Sequence, residues 1–125
     1  MLAGLDTNVL IDIHLLSLGP ELARALGGQG WTSAFVDREF FDPVEGAGFS
    51  VADVFPFIEV DPVDARLLPR IRRDQVAIAG PRAPEAGRAA GEASLVHVAL
   101  EFRPGSIILS NDPHAVGLGR RYGLI

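Results

Sequence analysis

Two spacings of apolar residues alternate along this chain. Short runs at Leu2 to Leu5, Trp31 to Ser33, Phe55 to Val60 and Ser106 to Leu109 predict strands. Between them, apolar residues recur three or four apart. That spacing predicts helices from Asn8 to about Leu18, Glu21 to Leu26, Ala34 to Phe41, Asp61 to about Arg73, about Arg88 to Phe102, and Pro113 to about Tyr122. In the first helix, Val9, Leu10, Ile13 and Leu16 are expected to share the core face. Gly19-Pro20, Asp42-Pro43 and Pro104-Gly105 read as stops. Gly27 to Gly30 and Gly80 to Gly87 read as loops, and Val44 to Val54 as irregular.

Strands that alternate with helices predict an α/β fold. The expected architecture is three layers, α/β/α, with a central parallel sheet. In such sheets ligands bind beyond the carboxyl ends of the strands, so polar residues just after a strand are the first candidates for chemistry. Asp6 follows the first strand. Ser110, Asn111 and Asp112 follow the last one.

Taken singly, each aspartate reads as a helix cap. Asp112-Pro113 is a standard helix start, and Asp61-Pro62 has the same form. Two glutamates alter that balance. Glu92 shares a helix face with Leu95, Val96 and Ala99, opposite an expected outer face of Ser94, His97 and Glu101. Glu39 shares a face with Phe35 and Val36. An inward carboxylate is costly unless it is paired or bound to a cation. The bland alternative is an arginine partner or, for Glu92, the helix dipole. Two strand-end aspartates and two inward glutamates in one cleft would repel one another without a counter-charge. Magnesium or manganese, hard cations that favour oxygen ligands, would relieve the repulsion.

Composition narrows the class. The chain has 125 residues, 48% of them hydrophobic, enough for a single domain spanning residues 1–125 with one core. No apolar run is long enough to span a bilayer and no secretion signal opens the chain, so a cytoplasmic protein with no membrane partner is expected. The absence of cysteine removes disulfides, thiolate metal sites and cysteine nucleophiles. The net charge of -5 argues against a general nucleic-acid coating protein. Every one of the 11 basic residues is arginine, a feature of coding bias rather than of function. Arg66, Arg70 and Arg73 fall at i, i+4 and i+7 and could form a ridge for RNA or a partner. The blander reading is a solvated face beside Asp64 and Asp74. The three histidines lack metal-ligand spacing, no Gly-rich phosphate loop is present, and no serine nucleophile turn appears.

Four segments together resemble the PIN domain family of metal-dependent ribonucleases, many of them VapC-type toxins of bacterial toxin–antitoxin pairs. LDTNVLID, from Leu5, resembles the family's opening motif and TSAFVDREF, from Thr32, the second. GEASLVHVAL, from Gly91, is similar to the third, and IILSNDPHAVGLGRRYGL, from Ile107, to the closing one. The resemblance implies that Asp6, Glu39, Glu92 and Asp112 are both catalytic and metal-binding. Asn8, Ser110 and Asn111 would be supporting polar residues. It implies an Mg2+- or Mn2+-dependent hydrolase acting on RNA, with a cognate antitoxin and possible homodimerisation. The family fold usually continues into a fifth parallel strand, and this chain stops at Ile125 as that strand would begin, so the expected sheet can lack that edge. A PIN-like module that binds RNA or protein without cleaving it is the alternative, and a structural domain whose acids are caps and salt bridges is the third reading.

Overall fold

A computed structural model describes residues 2–80 and 90–124 of the chain. Its four strands are β1 (Ala3–Leu5), β2 (Gly30–Ser33), β3 (Glu59–Asp61) and β4 (Ile107–Leu109). Every pairing is parallel, and the strand order is β3-β2-β1-β4. The chain steps from β1 outward to β2 and β3, then returns past β1 to form β4. The reversal makes the boundary between β1 and β4 a topological switch point, where an open parallel sheet leaves a crevice at its carboxyl edge. Helices α1 (Thr7–Leu15) and α2 (Gly19–Leu26) join β1 to β2, and α3 (Ala34–Phe41) with the short α4 (Val51–Val54) joins β2 to β3. A 3-10 turn (Ala65–Leu67), α5 (Leu68–Ala79) and α6 (Ala90–Phe102) lead back to β4, and α7 (Pro113–Arg121) follows it. The result is the expected α/β class, an all-parallel sheet in an α/β/α arrangement.

The core forms where apolar residues of the strands meet the helices. Leu5, Trp31 and Ile108 contribute from the sheet, and Leu10, Val36, Phe40, Ile71, Leu95, Val96 and Val98 from the helices. Trp31 is fully buried and donates its indole N–H to Ser106 Oγ at 3.1 Å. Its ring lies against Gly4, where a Cβ would come within 2.7 Å of it. A glycine in the middle of β1 therefore allows the close approach of a large ring. Helix α6 is buried from Ala93 through Ala99. Ser94 and His97, expected on its outer face, are buried, because α6 packs against α5 and α3 as well as the sheet.

Several expected boundaries move. Helix α1 ends at Leu15, and Leu16 is 67% exposed instead of lying on the core face. Ser17 then takes a positive φ of 56° and breaks the helix. Gly19-Pro20 accordingly opens α2, with Pro at its first turn, and does not close α1. Strand β3 covers only Glu59–Asp61, not Phe55 to Val60. Phe55 and Ile58 enter the core from a turn, in which the Ile58 amide bonds to the Phe55 carbonyl at 3.0 Å. Asp61 starts no helix, because Arg103 holds both its oxygens, at 2.7 and 2.8 Å. Asp64 caps the following turn instead. The irregular stretch Val44 to Val54 contains α4, whose start is fixed by Asp37 accepting from the Val51 amide at 2.8 Å. Most of the expected Gly80 to Gly87 loop, and the start of the expected Arg88 helix, lie outside the described residues.

Candidate functional site

The carboxyl edge at the β1–β4 boundary collects the predicted acids. Asp6 ends β1 in extended backbone and caps α1, its Oδ1 accepting from the Thr7 amide at 2.7 Å. Its Oδ2 accepts from the Ser110 hydroxyl, just after β4, at 2.7 Å. Pairing of Leu5 with Leu109 makes this possible, because it levels the two strand ends. Ser110 Oγ also accepts from the Asp112 amide at 3.0 Å, and Asp112 caps α7 by accepting from the His114 amide at 2.8 Å. Both aspartates are thus the helix caps that their sequence suggested. Capping leaves Asp6 1% exposed at the head of the crevice.

The glutamates reach the same place from helices. Ser33 ends β2 and caps α3 by accepting from the Val36 amide at 3.1 Å, which sets the helix that carries Glu39. Oε2 of Glu39 accepts from the Thr7 hydroxyl at 3.0 Å, so one threonine touches Asp6 through its amide and Glu39 through its side chain. Oε1 of Glu39 and Oε2 of Glu92 are buried and lack hydrogen-bond partners. None of the four acids forms an ion pair among the described residues.

The electrostatics follow. Burial is the main cause that lifts Asp6 above its ordinary value, with Asp112 adding to it, against the hydrogen bonds from Ser110 and Thr7. Burial likewise pushes Glu39 up to about 7, with the Asp6 charge adding to it. The Thr7 hydroxyl and the Gly91 amide act in the opposite direction, the latter without the geometry of a full hydrogen bond. Glu92 rises to about 8, again first through burial, then through the charges of Asp6, Glu39 and Asp112. Each glutamate therefore feels charges from acids far away in sequence, and Glu92 feels all three of the others.

The chemistry of this donor set suits a hard cation. It is all carboxylate, it has no arginine counter-charge among the described residues, and two of its oxygens are buried and unused. The acids are not drawn onto one point. Among the described residues, no three Asp, Glu or His side chains are grouped so that they could hold a metal ion. A cation would have to draw them together.

The other predicted residues divide. Ser110 supports Asp6 directly. Asn111 is exposed and donates to Asp12 at 2.9 Å, and Asn8 is exposed on the first turn of α1. Arg66, Arg70 and Arg73 do not share one helix: Arg66 lies in the 3-10 turn and the others in α5. Each is engaged, Arg66 by Asp64, Arg70 by Glu101, and Arg73 by Asp74 and the Tyr122 hydroxyl. Sequence reasoning missed the linking role of Thr7, although it stands inside LDTNVLID. It also missed the buried pair in which His97 Nε2 donates to Asp74 Oδ2 at 2.7 Å. Polar residues on two different helices carry no sequence signal that they will meet.

Neither a scan against protein-family models nor searches of curated proteins and of solved structures found a match. Among the described residues, no helix is long and apolar enough to cross a membrane.

Proposed function

We propose that this chain is a metal-dependent ribonuclease of the PIN type, acting as the toxin of a bacterial toxin–antitoxin pair. One observation carries the nuclease reading. Four carboxylates from distant parts of the chain face the switch-point edge of a parallel sheet, the charges of Asp6, Glu39 and Asp112 add to the raised proton affinity of Glu92, and none of the four pairs with an arginine among the described residues. Keeping buried like charges together costs stability, and perturbed acids in a cleft mark functional sites. The antitoxin partner rests on the resemblance of the four sequence segments.

Asp6, Glu39, Glu92 and Asp112 would hold the magnesium or manganese. The ion supplies charge stabilisation at a phosphodiester and an activated water for in-line attack. The protein's own part is to fix the donors. Ser110 and the Thr7 amide orient Asp6, and the Thr7 hydroxyl orients Glu39. Without a cation, Glu39 and Glu92 hold protons more readily than free glutamates do, so loading the site would release protons. No nucleophilic side chain is required.

A second reading, a PIN-like module that binds RNA or protein without cutting, draws support from one feature: the acids do not converge tightly enough to grip an ion as they stand. Thermal unfolding with and without millimolar magnesium or manganese, followed by RNA cleavage assays on wild type and Asp6→Asn, separates the readings. Stabilisation and cleavage in wild type alone support the nuclease. Stabilisation without cleavage supports the binding module. No response to either ion removes the metal reading.

A further inference from the structure

Gly91 stands in the first turn of α6, directly before Glu92. Glycine is the wrong residue for a helix on intrinsic grounds. Backbone geometry does not require it, since Gly91 has no positive φ. Space does. A Cβ at this position would lie 2.1 Å from Oε1, 2.9 Å from Cδ and 3.2 Å from Oε2 of Glu39. All three nearest atoms belong to the carboxylate end of one side chain. The obstruction is therefore the far end of a side chain, and not the frame of the protein.

The frame around Gly91 is in turn held from the other side. Ser94 Oγ donates to the Gly91 carbonyl at 2.6 Å, which uses its only proton. The 2.6 Å contact between Ser33 and Ser94 then runs from the Ser33 hydroxyl to Ser94. Ser33 itself accepts from the Val36 amide at the start of α3. A buried chain of hydroxyls thus ties the first turn of α6 to the cap of the helix that carries Glu39.

We infer that Gly91 is a positioning residue: its bare Cα is the surface against which the Glu39 carboxylate is seated within the acidic cluster. This inference rests on the proposed cation site and deepens it. A side chain at position 91 would leave the fold intact and displace one ligand.

The test is Gly91→Ala, with Gly117→Ala as its control. Gly117 lies in α7 and a Cβ there would meet nothing within 4 Å, so the control makes the same helical glycine-to-alanine change without a neighbour. Each protein is melted without metal and across a manganese titration. Gly91→Ala should unfold at or above the wild-type temperature without metal, since alanine favours helix. Its manganese affinity should fall on the order of ten- to a hundredfold, the usual cost of losing a ligand's support. Gly117→Ala should bind like wild type. In a Glu39→Ala background, adding Gly91→Ala should cost no further affinity.

Wild-type manganese affinity in Gly91→Ala overturns the inference and leaves the cation site standing. Equal loss in Gly117→Ala overturns it too, by showing a backbone effect. So does a Gly91→Ala protein that fails to fold in both the wild-type and Glu39→Ala backgrounds, because the obstruction is then not Glu39. If wild type itself shows no manganese response, the cation reading falls and this inference with it.

Discussion

At the β3 edge, Arg103 lies between Asp61, which it grips through both oxygens at 2.7 and 2.8 Å, and Glu59, while its guanidinium stands 5.9 Å from the centre of the Trp31 ring. At the β1–β4 edge, Asp6, Glu39, Glu92 and Asp112 have two hydroxyls, a few backbone amides and, among the described residues, no arginine. Arg103 is held in its charged form by its hydrogen bonds to Asp61, whereas burial pushes Glu39 to about 7 and Glu92 to about 8. The same residue types are thus neutralised in one place and left in mutual repulsion in the other. The first arrangement joins an edge strand to the end of α6. In the second, Asp6 and Asp112 cap helices, but Glu39 and Glu92 each keep a buried oxygen without a hydrogen-bond partner, and the proposed cation site rests on these two. The His97–Asp74 pair between α5 and α6 belongs with the first kind: an acid 1% exposed, matched to a histidine 2% exposed.

If the contrast is sound, damaging the neutralised acids should destabilise the fold, and neutralising the repelling acids should not. The largest effect is expected from His97→Leu. Among the described residues it leaves Asp74 buried beside only the exposed Arg73 at 3.5 Å, and should cost about 3 kcal/mol, roughly 10 °C in Tm. A wild-type melting temperature would remove the pair from the list of structural acids.

Arg103→Ala comes next. It strips Asp61 and Glu59 of their cation and uncovers Trp31, and should cost about 2 kcal/mol in denaturant unfolding. A loss at neutral pH that vanishes at about pH 2, where carboxylates are protonated, would mean that packing contributes nothing there.

Glu92→Gln should do the reverse. Without metal it should be at least as stable as wild type at about pH 8.5, while losing most of the manganese-induced rise in Tm and, if the nuclease reading holds, on the order of a hundredfold in RNA cleavage. Strong destabilisation without metal would move Glu92 to the structural side of the comparison.

The pH dependence has a definite sign. Glu39 and Glu92 bind protons more tightly in the folded chain than in the unfolded one, where their values fall back toward 4.5. Between about pH 4.5 and 8 the folded state therefore holds more protons, and the stability of the metal-free protein falls as pH rises. Saturating manganese should flatten or reverse that slope. A slope equally steep in the Glu39→Gln, Glu92→Gln double variant would assign it to other groups. The smallest effect is expected from Arg66→Ala, since Arg66 is exposed and its bridge is to a near neighbour, Asp64: the Tm should stay within about a degree.

The site was partly legible in the sequence. Asp6 and Asp112 could be placed because they follow predicted strands, and carboxyl ends of parallel strands share one edge. Glu39 and Glu92 could be flagged because each interrupts an apolar helix face. Where helices begin and end was less legible, because competing contacts decided it. Asp61-Pro62 has the same local form as Asp112-Pro113, yet only Asp112 caps a helix, since Arg103, 42 residues away in sequence, takes the Asp61 carboxylate. His97 and Ser94 looked solvent-facing because a helix wheel knows one buried face, and α6 is packed on several sides.

The sequence by itself determined the class of the fold, through alternating strand and helix periods, and the identity of the acids, through their places relative to those periods. Only the tertiary structure decided which acids are answered by a cation and which are not. It also decided that a threonine amide and hydroxyl would bridge Asp6 and Glu39, and that a glycine would leave room for a carboxylate from another helix. Local sequence sets backbone preference and facing, which act over a few residues. Charge neutralisation and steric room depend on groups that the chain brings together only when the sheet closes.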